Sequence, residues 1–198
     1  MRRGICVPMI ALCLLLCGCG GEKTDPAETL RQTYRDMGGS TMEAQVTCGA
    51  GSDEILSFTM KCDYVPDGAC TIEVTAPETV AGVKAVVDGL TLKLEYDGEC
   101  LNTGTLSAEN ISPAACLPQL MNALRDGWLL EENEEDWNEI PCLRMAFDQT
   151  GKSGNKIVST VFLRQEDGTP VYGEIAVDDE IILQAEFTNF QFGDILTN

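Results

Sequence analysis

A chain of 198 residues with 32 acidic against 13 basic side chains, net charge −19, is ill suited to grip nucleic acid or anionic lipid head groups. It has no histidine, so neither a Ser-His-Asp nor a Cys-His catalytic arrangement can be assembled. Such acidity suits solubility outside the cell, binding of a cation, or a basic partner.

The chain opens with Arg2 and Arg3, then an apolar run from Ile5 to Leu16 broken only by Pro8. The run is too short to span a bilayer comfortably and has the length of a secretory signal. It ends in Leu16-Cys17-Gly18-Cys19, which resembles the bacterial lipobox. The resemblance implies cleavage after residue 18 and a diacylglyceryl group on Cys19. The product would be a palmitate-type lipoprotein on the extracytoplasmic face of the cell membrane. Two acyl chains hold a protein stably where one would not. Residues 1–18 are then a signal peptide, 19–24 a lipidated tether and 25–198 one domain. Loss of Arg2 and Arg3 with the signal makes the mature chain still more acidic.

Asp25-Pro26-Ala27-Glu28 reads as a helix start, with Asp25 as cap, Pro26 in the first position and Glu28 closing a capping box. Ala27, Leu30, Tyr34 and Met37 follow at helical spacing, and Gly38-Gly39 ends the helix. From Met42 the period becomes two. Strands are expected over Met42–Cys48, Leu56–Tyr64, Cys70–Ala76, Val83–Val87, Leu90–Tyr96 and Cys100–Thr103, joined by short turns at Val65–Gly68, Asp88-Gly89 and Asp97-Gly98. The pattern breaks at Ser112-Pro113. Pro118 lacks an N–H, which places a turn at Pro113–Leu117 and a helix from Pro118 to Arg125, ended by Gly127. Leu117, Leu120, Met121 and Leu124 fit one helical face. The acidic segment Glu131–Glu139, which holds Trp137, reads as a solvated surface loop; it lacks the alternating ligands and glycine of an EF-hand. Strands resume at Cys142–Phe147, Ile157–Arg164, Val171–Val177 and Ile181–Phe187. Helix, strand run, helix, strand run defines an α+β protein with one large curved antiparallel sheet.

Beyond Cys19 the mature chain keeps Cys48, Cys62, Cys70, Cys100, Cys116 and Cys142, an even number that permits disulfides outside the cytoplasm. Their spacing matches no zinc motif. Cys62 and Cys70 close two strands whose apolar residues sit at even positions, so both lie on one face. A three-residue loop, Val65-Pro66-Asp67, puts Cys62 opposite Cys70. Moving the loop centre by one puts Tyr64 opposite Cys70 instead. Proximity is expected, with a bond depending on redox conditions and Cβ separation.

Several segments together resemble the LolA-like superfamily of outer-membrane-lipoprotein carriers, their receptors and related Gram-positive lipoproteins. They are Ala76-Pro77-Glu78-Thr79-Val80-Ala81-Gly82, Leu92-Lys93-Leu94-Glu95-Tyr96-Asp97-Gly98, Ser112-Pro113 with its helix, Pro170-Val171-Tyr172-Gly173-Glu174-Ile175, and Phe187-Thr188-Asn189-Phe190. The resemblance implies an incomplete β-barrel whose concave face is covered by helices, with acyl chains held between sheet and lid. The tethered, spore-germination type of member is the nearest in character, because a carrier shuttles free of the membrane.

No cofactor, metal site or enzymatic activity is expected. Leu56, Phe58, Met60, Ile72, Val74, Leu92 and Leu94 on the strands, with Leu117, Leu120, Met121 and Leu124 on the helix, either line a lipid cavity or form a solid core; periodicity does not separate the two. Two functions follow. One is a tethered binder of lipid or lipoprotein acyl chains. The other is an interaction or regulatory module for an envelope protein. An open apolar cavity favours the first, and a filled interior with an exposed patch or sheet edge favours the second.

Overall fold

A computed structural model of the protein describes residues 25–49, 55–89, 91–105, 111–151 and 154–194, side chains at 102–105 excepted. The signal peptide, Cys19 and the tether lie outside the described residues.

Among the described residues the elements in chain order are α1 (Pro26–Asp36), β1 (Ser40–Cys48), β2 (Leu56–Tyr64), β3 (Cys70–Ala76), β4 (Lys84–Asp88), β5 (Thr91–Tyr96), β6 (Glu99–Thr105), a 3₁₀ turn at Pro113–Ala115, α2 (Cys116–Asp126), β7 (Trp128–Trp137), β8 (Ile140–Asp148), β9 (Ile157–Arg164), β10 (Pro170–Val177) and β11 (Glu180–Phe192). The strands form one antiparallel sheet in the order β6-β5-β4-β3-β2-β1-β11-β10-β9-β8-β7. Two meanders are therefore stitched together by the first and last strands, β1 on β11. The sheet is open, with β6 and β7 as its edges. No described helix is long and apolar enough to cross a membrane.

Tight hairpins fix the registers. Asp97 and Gly98, and again Asp178 and Asp179, have positive φ between directly paired residues, Tyr96↔Glu99 and Val177↔Glu180. Two successive left-handed residues give the turn that matches strand twist. Asn138 and Glu139 do the same between Trp137 and Ile140. That third hairpin overturns the loop expected at Glu131–Glu139. The acidic segment is mostly β7, paired with β8 through Glu132↔Met145 and Glu134↔Leu143. An edge strand wet on both faces has no apolar alternation to betray it.

The second helix also departs from expectation. It starts at Cys116, so Pro118 lies inside its first turn, where an N–H has no intrahelical acceptor to lose. Ser112 caps the preceding 3₁₀ turn, its Oγ accepting from the Ala115 N–H at 3.2 Å. At α1, Asp25 caps as expected by accepting from the Ala27 N–H at 3.1 Å. Glu28 turns along the helix to pair with Arg35 and Arg31.

The β2–β3 register pairs Cys62 with Ile72 and Asp63 with Thr71, leading Tyr64 toward Cys70. This is the shifted of the two loop centres. Cys62 and Cys70 are diagonal neighbours on one face, both buried and both free thiols. The final strand runs to Phe192, past the expected end, because Phe190 and Phe192 pack on Tyr34 with ring centroids 6.2 and 5.3 Å away.

Candidate functional site

The face of the sheet under α2 is the place the sequence marks for a ligand. Helix α2 lies against it through Cys116, Leu117, Leu120, Met121, Ala123 and Leu124, each no more than 1% exposed. Opposite them stand Met145, Phe147, Val161, Leu163, Ile175 and Leu183 in the same core. The approach is close enough that a larger residue at position 173 would displace Leu120. A Cβ on Gly173 of β10 would lie 2.7 Å from Leu120 Cδ1.

Two arginines from α1 hold the C-terminal end of α2. Arg31 Nη2 donates to the Gly127 carbonyl at 2.7 Å and Nε to the Leu124 carbonyl at 3.5 Å. Arg35 Nε donates to the Arg125 carbonyl at 3.1 Å. These are carbonyls a helix end leaves without intrahelical donors, and cations suit that end of the helix dipole. Gly127 is required there too, since a Cβ would stand 2.5 Å from the Ala123 carbonyl oxygen.

Toward β2 and β3 the packing turns polar. Tyr64 donates its hydroxyl to Asn122 Oδ1 at 2.6 Å, and Arg125 Nη2 donates to Asp67 at 2.9 Å. Burial works against the Arg125 charge, but Asp67 and Tyr64 outweigh it and hold the guanidinium protonated. This ties the β2–β3 turn to α2.

The residues proposed from sequence to line a cavity divide in two. Met60, Ile72, Leu92, Leu117, Leu120, Met121 and Leu124 are buried. Phe58, Val74 and Leu94 are partly buried against the same cluster, and Leu56 is 49% exposed. Exposure thus rises along β2 from Met60 to Leu56, away from α2. There are clefts of about 430, 570 and 390 Å³: one between Pro118 and Asn122 of α2 and Tyr64, Cys70 and Val87 of the sheet, one beside Gly39 and Phe192, and one between Pro26 and Leu143. None of the three is lined by a residue of that set.

The thiols of the core are shielded. Burial, with Cys48 a lesser cause, pushes the Cys116 thiol up to about 12, and burial raises Cys62 further. Cys100 on β6 is exposed. Under native conditions a maleimide should therefore label Cys100 well before Cys62 or Cys116, read by peptide mass mapping; equal rates at all three would contradict the packing. Among the described residues no group of three or more His, Cys, Asp or Glu is placed to hold a metal.

Sequence reasoning missed an aromatic cluster on the opposite face. Trp137 stacks on Tyr172 at 3.8 Å, and Phe162 meets both. Gly173 and Val161 face α2, so their neighbours Tyr172 and Phe162 face away. The signal available was Trp137 itself, together with Asn138 as a turn residue.

No family model matches the chain, and no curated protein does. Among solved structures the chain is similar to the LolA superfamily protein NE2245 from Nitrosomonas europaea, at 7% identity over 85% of this chain and 94% of that one, TM-score 0.43. It is similar to the lipoprotein LppX of Mycobacterium tuberculosis, at 13% identity over 86% and 98%, TM-score 0.43. It is also similar to a chain of the complex between the CwlD amidase and the GerS lipoprotein from Clostridioides difficile, at 14% identity over 83% and 92%, TM-score 0.36.

Proposed function

We propose that the protein is a lipid-anchored, non-catalytic component of the cell envelope that acts by contact with another protein. The filled space between α2 and strands β8–β11 carries this reading. Leu117, Leu120, Met121 and Leu124 are at most 1% exposed, and Leu120 fills the volume a side chain at position 173 would need. An acyl carrier would hold its cargo in that space. The absence of histidine supports a non-catalytic role.

The anchor is the Cys19 lipid, with the domain on the extracytoplasmic face. Cys19→Ala should abolish metabolic labelling with a palmitate analogue; undiminished labelling would remove the assignment.

A second reading, binding of a hydrophobic ligand, is favoured by the strip Leu56, Phe58, Val74 and Leu94, apolar and incompletely buried. A fluorescent fatty acid titrated into the protein separates the two. The contact reading predicts no saturable uptake. Saturable uptake that Phe58→Glu abolishes would establish the ligand reading instead.

A further inference from the structure

Strand β7 is an open edge: β8 pairs one side of it, and among the described residues no strand pairs the other. Unpaired edges are templates for another strand, and proteins blunt them with charge. The charge on β7 is one-sided. On one face Arg144 answers Glu131 at 3.2 Å and Glu135 at 3.8 Å. On the other face Glu132, Glu134 and Asp136 recur at every second residue, and among the described residues none of them has a Lys or Arg in ion-pair contact. Burial raises the Glu132 pKa, as does Asp25, which stands beside it at the start of α1.

A purely protective edge would be charged throughout. This one begins with Trp128 and Leu130, 76% and 51% exposed. Large apolar side chains on an unpaired strand invite pairing rather than prevent it. The acidic half repels a second copy of the same strand and attracts a basic one. We infer that β7 is a docking edge for an extended segment of a partner protein with basic residues at alternate positions, added to the sheet as a further strand. Its lysines or arginines would face Glu132, Glu134 and Asp136 at the roughly 7 Å two-residue spacing of a strand. Main-chain hydrogen bonds would supply affinity and the carboxylates specificity. This names a surface for the protein contact proposed above and rests on that reading.

The test uses the full chain in mild detergent and two synthetic peptides, one alternating lysine with threonine, the other glutamate with threonine. Amide hydrogen exchange is followed across residues 128–137. The lysine peptide should slow exchange there, less so as salt rises, and the glutamate peptide should not. In the triple variant Glu132→Lys, Glu134→Lys, Asp136→Lys the preference should reverse, which also shows that the variant is folded. No protection by the lysine peptide, or equal protection by both, would overturn the docking edge. Either result leaves the fatty acid titration, and the contact reading it tests, standing on its own.

Discussion

Gly173→Val should destabilise the protein by about 3 kcal/mol, the upper range for forcing extra carbon into a packed core. At this chain length that lowers the melting temperature by roughly 6–12 °C. The cause is one contact: the new Cβ would meet Leu120 Cδ1 at 2.7 Å and Cδ2 at 3.2 Å. Leu120 has no exposed surface to retreat to. Leu120→Ala alone should also destabilise, by about 2–5 kcal/mol, through the cavity it leaves. Together the two changes should cost less than their sum by more than about 1 kcal/mol, because each relieves the other's defect. Thermal melts of the four proteins measure this coupling. Simple additivity would mean that α2 stands off β10, contrary to the closed packing on which the proposed function depends.

Arg31→Met should cost about 2–3 kcal/mol, read from urea midpoints. Methionine keeps much of the apolar stem but strips the donors from the Leu124 and Gly127 carbonyls, and hydrogen bonds from a charged donor are worth more than neutral ones. The guanidinium also lies over the Phe147 ring, 5.5 Å from its centroid. Arg31→Lys keeps the positive charge at the helix end but not the fork, so its loss should be intermediate. A lysine variant as stable as wild type would show that charge alone holds α1 to α2. A methionine variant as stable as wild type would show that the arginine clamp carries no stability.

The alternating strands were legible because each buries one face. Cys70-Thr71-Ile72-Glu73 alternates in sequence, and Cys70 and Ile72 are indeed buried with Thr71 exposed. Turns were legible where Asp-Gly stood between strands. What was not legible lies where burial and sequence part company. Strand β7 pairs along one edge only, so its carboxylates stay wet and nothing in WLLEENEEDW alternates. Pro118 taken alone points to a later helix start, yet inside the first turn its missing N–H costs no hydrogen bond, so the helix begins at Cys116. The Cys62–Cys70 register turned on one residue of loop placement, which hydrophobic parity leaves open between Cys62 and Tyr64. The choice between cavity and core was equally closed to periodicity. At β10 the contact between Gly173 and Leu120 is packed solid, and a glycine in a strand carries no mark of the leucine that will fill its place.

Arg31 was missed for a related reason. On a helix rich in polar residues it reads as one more solvated charge, yet it is 9% exposed and reaches across to α2. A buried arginine paired with helix carbonyls is a tertiary fact with no local signature.

Native mass spectrometry of the purified, untagged domain tests the central claim most directly, because it reports bound lipid and bound protein in one spectrum. A chain whose α2–sheet space is filled by its own leucines should appear at its bare sequence mass, free of co-purifying acyl lipid. A stoichiometric lipid adduct that survives desolvation would contradict the account and make the protein a carrier of hydrophobic cargo.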